Sequence, residues 1–95
     1  MALSTGSKRV KTAVFISGTG SNLKSLIKFS KLKKSPISIE LIISNNPKSK
    51  GLHFGKIYKI RKKIFNFKKK TIAEKEILIF LKKKNINLIC LAGFL

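Results

Sequence analysis

Phe15-Ile16-Ser17-Gly18-Thr19-Gly20-Ser21-Asn22-Leu23 is the stretch whose reading decides the fold. The apolar run Ala13-Val14-Phe15-Ile16 stops at a Ser-Gly-Thr-Gly-Ser-Asn turn, and an amphipathic segment beginning Leu23-Lys24-Ser25-Leu26-Ile27 follows at once. Strand, glycine loop and helix are predicted in that order. The first N–H groups of a helix lack internal partners, and its macrodipole is positive there. Such a bend is an anion site, and phosphate is the ligand the pattern implies.

Working outward, Lys11 to Ser17 reads as a central strand, apolar throughout its middle. The first helix is expected from Asn22 to about Leu32, with Ser21 as N-cap and Leu23, Leu26, Ile27 and Ser30 on its buried stripe. Pro36 permits only a strand start or edge, so Ile37–Ile43 is the second strand, followed by a Ser44-Asn45-Asn46-Pro47 turn. Gly51 to about Tyr58 predicts a short helix through Leu52 and Ile57, with Phe54 poorly placed. Ile64–Phe67 reads as a short third strand at an edge, given the lysines around it. Thr71–Lys84 is the second clear helix, with Ile72, Ile77, Leu78 and Leu81 inward and a Thr71/Glu74 pair resembling a capping box. Leu88–Ala92 is the fourth strand.

Strands alternating with helices predict an α/β fold: an open, mostly parallel sheet with right-handed crossovers. The expected strand order is 3-2-1-4, which puts the glycine loop at a topological switch point. Residues 1–10 are expected to be a disordered leader and residues 11–95 the folded unit. The last apolar segment runs to Leu95 without a following helix, which suggests a truncated domain.

Charge is the oddity of the composition: 22 Lys+Arg against 3 Asp+Glu, a formal net charge of +19. Twenty of these cations are Lys, Arg occurs only at Arg9 and Arg61, and Ile is the commonest apolar residue. Lys, Ile and Asn share A/T-rich codons, so base composition alone can load a surface this way. Base-reading proteins favour the bidentate Arg fork. The scattered Lys clusters therefore read as solvated surface, and no specific nucleic-acid partner is expected. Cys90 is the single cysteine and sits in an apolar run, where a structural thiol is expected. With one histidine, His53, and no Asp, neither a metal site nor a catalytic triad assembles. No run reaches the roughly 18 apolar residues of a membrane span, the N-terminus has no signal-peptide core, and a cytoplasmic location is expected.

The loop is neither a Walker A nor a dinucleotide fingerprint, because Leu23 stands where the third glycine would be. The combination is more specific. Phe15–Leu23, Ser44-Asn45, Gly51-Leu52 and Leu91-Ala92-Gly93-Phe94-Leu95 together resemble phosphoribosylglycinamide formyltransferase, over about Lys11 to Leu95 and roughly the N-terminal half of that family's catalytic domain. The resemblance implies a Rossmann-like formyltransferase fold and transfer of a formyl group from 10-formyltetrahydrofolate to the amine of glycinamide ribonucleotide in purine synthesis, without a metal. It assigns Gly20, Ser21 and Asn22 to the substrate phosphate. It aligns Phe67 with a family aromatic and Lys70 with a folate-associated position that is usually Arg; Lys keeps the charge but loses the fork. It matches Leu95 to a folate-packing position where Met is common, a volume-conserving change. The family's catalytic Asn, His and Asp lie beyond Leu95, so no catalytic residue is assigned here and the 95 residues alone are expected to be inactive. Alternatives in the same fold are a formyltetrahydrofolate hydrolase and a methionyl-tRNA formyltransferase; one outside it is a basic nucleic-acid-binding module.

Overall fold

The computed structural model describes residues 9–18, 20–65 and 70–92, with Lys70 described in its backbone only. In chain order the elements are β1 (Val10–Ile16), α1 (Ser21–Ser30), β2 (Ile37–Ser44), a 3-10 turn (Lys50–Leu52) running into α2 (His53–Ile57), β3 (Arg61–Ile64), α3 (Lys70–Lys83) and β4 (Leu88–Leu91). The four strands form one sheet in the order β3-β2-β1-β4, every pairing parallel, as the alternation of strands and helices predicts.

The two central strands carry the core because each is covered on both faces. Val14 and Ile16 of β1 join Leu23 and Ile27 of α1 and Leu52 on one side of the sheet. Ala13 and Phe15 join Phe65 and the α3 residues Ile77 and Leu81 on the other. In β2 the alternation is interrupted: Ile37 and Ile39 face the α1 side, yet so does Ile42, while Leu41 and Ile43 face α3. The register slips between Thr12 and Ala13, whose partners are Ile39 and Leu41, so Glu40 is the extra residue of a β-bulge. A bulge inverts the parity of everything after it, which is why this strand reads as alternating first and continuously apolar later.

Several boundaries differ from expectation. Arg9 and Val10 belong to the folded part: Val10 opens β1, and the Arg9 guanidinium donates to the carbonyls of Ser30 (2.7 Å), Leu32 (3.1 Å) and Lys33 (3.1 Å). A cation there satisfies carbonyls left open at the end of α1. The third strand is the cationic Arg61-Lys62-Lys63-Ile64, not Ile64–Phe67; it is an edge strand, as expected, and its ladder to β2 is made by backbone groups that side-chain patterning does not reveal. Phe65 lies just beyond it and is buried, while Asn66 and Phe67 lie outside the described residues.

On α3 the buried stripe is Ala73, Ile77 and Leu81, spaced i, i+4, i+8, whereas Ile72, Leu78 and Ile79 are exposed. Large apolar residues alone misplace this face, because its first member is the small Ala73. The helix already includes Lys70, so Thr71 lies inside the first turn and is not the cap of a capping box. On α2, Phe54 and Tyr58 pack against the core and Ile57 is exposed. The preceding 3-10 turn advances side chains by a third of a turn per residue rather than the α-helical step, which rotates the inward face. Edge strand β4 leaves Leu88, Ile89 and Leu91 exposed, and Cys90 is half-buried against the core.

The revised α3 face has a direct test by urea denaturation. Ile77→Ala is expected to cost about 2–4 kcal/mol, as a buried truncation does. Leu78→Ala, exposed on the flank, is expected to change stability by less than about 0.5 kcal/mol. Equal losses would contradict the assignment.

Candidate functional site

The bend after β1 is built by three short chain segments holding one another. Gly20 adopts the left-handed conformation, φ 82° and ψ 22°, and is itself the N-cap of α1. Ser21, expected to be the cap, is instead the first helical residue, and the cap has no side-chain hydrogen bond. A residue with a side chain resists this backbone geometry, and glycine adopts it freely. Space imposes the same requirement: a Cβ at Gly20 would lie 2.5 Å from the Cα of Gly51. Gly51 is reciprocally constrained, since a Cβ there would meet the Ile16 side chain at 2.5 Å and the Gly20 Cα at 3.0 Å.

Hydrogen bonds lock this contact. The Gly18 carbonyl accepts from the Ser49 hydroxyl at 2.6 Å and from the Gly51 N–H at 3.1 Å. The Ser17 hydroxyl donates to Asn45 Oδ1 at 3.1 Å, tying the chain after β1 to the chain after β2. The latter segment is itself ordered by its side chains: Ser44 Oγ donates to the Asn46 carbonyl, and Asn46 Oδ1 accepts the Lys48 N–H. The Ser44-Asn45 and Gly51-Leu52 signals thus have a physical role, as the strap under the glycine loop. Ser49 was not singled out from the sequence, and a lone serine in a Lys-rich turn offers no pattern that would have done so.

Above the strap, Ser21 and Asn22 are exposed at the start of α1. Among the described residues, no acceptor meets the backbone N–H of either, and the first intrahelical bond runs from Lys24 N–H to the Gly20 carbonyl at 2.8 Å. Gly20, Ser21 and Asn22 are therefore brought together at the carboxyl ends of β1 and β2. This arrangement can bind an anion through main-chain donors, with the Ser21 hydroxyl and the Asn22 amide beside them. Among the described residues no His, Asp or Glu stands at the bend: His53 is exposed on α2, and the three glutamates lie on β2 and α3. Among the described residues no group of His, Cys, Asp or Glu could hold a metal. Nor is any helix among them long and apolar enough to cross a membrane. Lys70 opens α3 but its side chain is not described, and Thr19 and Leu95 lie outside the described residues.

Residues 10–95 match the sequence model of the family described as Formyl transferase. The chain is 34% identical over 91 residues to the trifunctional purine biosynthetic protein adenosine-3 of Homo sapiens, an alignment covering 93% of this chain and 9% of that protein. It superposes on the phosphoribosylglycinamide formyltransferase of Brucella melitensis with a TM-score of 0.88 at 32% identity, covering 93% of this chain and 47% of that one. The corresponding enzyme of Anaplasma phagocytophilum gives a TM-score of 0.81 at 35% identity, covering 93% and 41%. The chain thus spans less than half the length of these solved relatives and about a tenth of the human one.

Two glycines of the loop should separate sharply in a stability measurement. Gly20→Ala is expected to destabilise by about 2–3 kcal/mol, combining a positive φ with a backbone clash. Gly18→Ala, where an added Cβ meets nothing within 4 Å, is expected to stay within about 0.5 kcal/mol. Thermal or urea unfolding of the two variants reads the difference.

Proposed function

Because the chain belongs to the formyl transferase family, we propose that its glycine bend holds the phosphate of glycinamide ribonucleotide while a formyl group is delivered from 10-formyltetrahydrofolate. The observation that supports this most is that the N–H groups of the exposed Ser21 and Asn22, which follow a left-handed Gly20, meet no acceptor among the described residues. A phosphomonoester dianion satisfies such donors and is favoured by the positive end of α1. Ser21 and Asn22 add side-chain donors, and Gly20 lets the phosphate approach the backbone.

In this reading the ribonucleotide is anchored by its phosphate so that its amine reaches the formyl carbon. The amine nitrogen bonds to that carbon, the bond from carbon to N10 of the folate breaks, and the amine proton is lost as N10 gains one. Anchoring removes rotational freedom before the chemical step, and a fixed donor can stabilise the oxyanion formed on the way. Lys70 and Leu95 are the proposed folate contacts, Lys70 attracting an anionic portion and Leu95 packing on the ring. The proton-transfer groups are assigned to the part of the relatives that this chain does not span. The chain by itself is then a binding platform for a purine-synthesis substrate, acting without a metal and in the cytoplasm.

Phosphorus NMR titration with glycinamide ribonucleotide tests the platform. Asn22→Asp places a carboxylate against the phosphate and is expected to weaken binding about tenfold or more, with the fold unchanged by circular dichroism. Undiminished affinity would refute the assignment. Affinity should also fall only shallowly with salt, because one phosphate is involved; a steep slope is the mark of a polyanion partner. Supplied with both substrates, the chain alone is expected to form no N-formyl product, and measurable turnover would contradict that part.

A further inference from the structure

The opposite end of the sheet carries a second basic site. A cleft of about 830 Å³ opens toward the amino-terminal ends of β1, β2 and β3, at the opposite end of the strands from the glycine bend. Six cations line it: Arg9, Lys11, Lys31, Lys59, Arg61 and Lys84. Both arginines of a chain that has 20 lysines therefore meet in one cavity.

Part of this charge has a local explanation. Arg9, Lys31 and Lys84 stand at the carboxyl ends of α1 and α3, where cations offset the helix dipoles, and Arg9 is held there by three carbonyls. Lys59 likewise follows the C-cap of α2, Tyr58, in a left-handed conformation; Lys11 and Arg61 have no such role. Two non-cationic features complete the lining. Glu40, the bulged residue of β2, is the single acid, and its Oε2 accepts from the Ser38 hydroxyl at 2.8 Å. Tyr58 is the single aromatic; Lys31 Nζ lies 5.8 Å from its ring centroid.

We propose that this cleft binds a nucleoside polyphosphate. Its size falls within the roughly 300–1,000 Å³ of small-molecule sites. Lys11, Lys59 and Arg61 would neutralise the phosphate chain, Arg61 by a bidentate fork. Glu40 accepts hydrogen bonds from sugar hydroxyls, a role that cations cannot fill. Tyr58 and Ile60 supply an apolar wall for the base. A single-stranded nucleic acid is disfavoured as occupant, since it calls for successive stacking platforms along a groove and one aromatic is present.

Calorimetric titration of the chain with ATP and with inorganic tripolyphosphate, at about 150 mM salt where exposed charges are largely screened, tests the proposal. The double variant Lys59→Asn, Arg61→Gln removes two cations; asparagine tolerates the left-handed backbone at Lys59, φ 57°. It is expected to weaken both ligands about tenfold or more per residue, with an unchanged far-ultraviolet spectrum. The control Lys24→Ala, Lys28→Ala on the outer face of α1 removes as much charge and is expected to change affinity less than about twofold. Equal losses in the two double variants, or none in the first, would overturn the site. Glu40→Gln is expected to weaken ATP and spare tripolyphosphate; a parallel response of the two ligands would overturn the nucleoside assignment. Tighter binding of an oligoribonucleotide than of ATP, lost in the Lys59/Arg61 variant, would overturn it in favour of a polymer.

Discussion

Gly20 and Gly51 meet backbone to backbone, and the geometry of the site depends on that contact. With no side chain on either residue, the chain leaving β1 can pass directly over the chain leaving β2. The left-handed turn at Gly20 then aims α1 so that its Leu23–Ile27 face covers β1 and β2, while its exposed first residues, Ser21 and Asn22, stand at the carboxyl end of the sheet. One close approach therefore couples the packing of a core helix to the presentation of donors. Any side chain at Gly20 would have to push the strap away, and with it the Ser49 and Gly51 bonds to the Gly18 carbonyl.

Much of this was legible because the informative residues act locally. A β-branched run ended by Gly-Thr-Gly-Ser-Asn specifies strand, turn and helix within a dozen residues, and strand alternation with helices leaves few topologies to choose from. What escaped depends on contacts between distant segments. The Arg61–Ile64 strand has the side chains of a solvated loop and is a strand because the backbone of β2 lies beside it. The bulge at Glu40 follows from the mismatch between two strand registers, which one strand's pattern does not carry. Ala73 belongs to the buried stripe of α3 through its position against the sheet, and its small size hid it. At the bend, the residue types were readable but the division of labour was not: glycine caps the helix and serine begins it.

The heavy positive charge divides the same way. Most of the described lysines are exposed, in loops and on outer helix faces, and Lys62 and Lys63 lie on edge strand β3, where they keep that edge from pairing with other chains. Composition accounts for that population. It does not account for where the two arginines stand, at the start of β1 and of β3 around one cleft. The sheet is thus basic at its amino-terminal end through side chains, while the site proposed at its carboxyl end relies on main-chain donors. These are physically different devices: the first is screened by salt, while the second depends on geometry that a single Cβ would spoil.

The central claim is that main-chain donors at the start of α1 take the phosphate. Nitrogen-15 correlation spectra recorded during titration with glycinamide ribonucleotide test it residue by residue. The account predicts the largest, saturable shifts at the Ser21 and Asn22 amides, moving downfield as they donate to the dianion. Shifts confined to lysine-bearing segments, with Ser21 and Asn22 stationary at saturation, would contradict it.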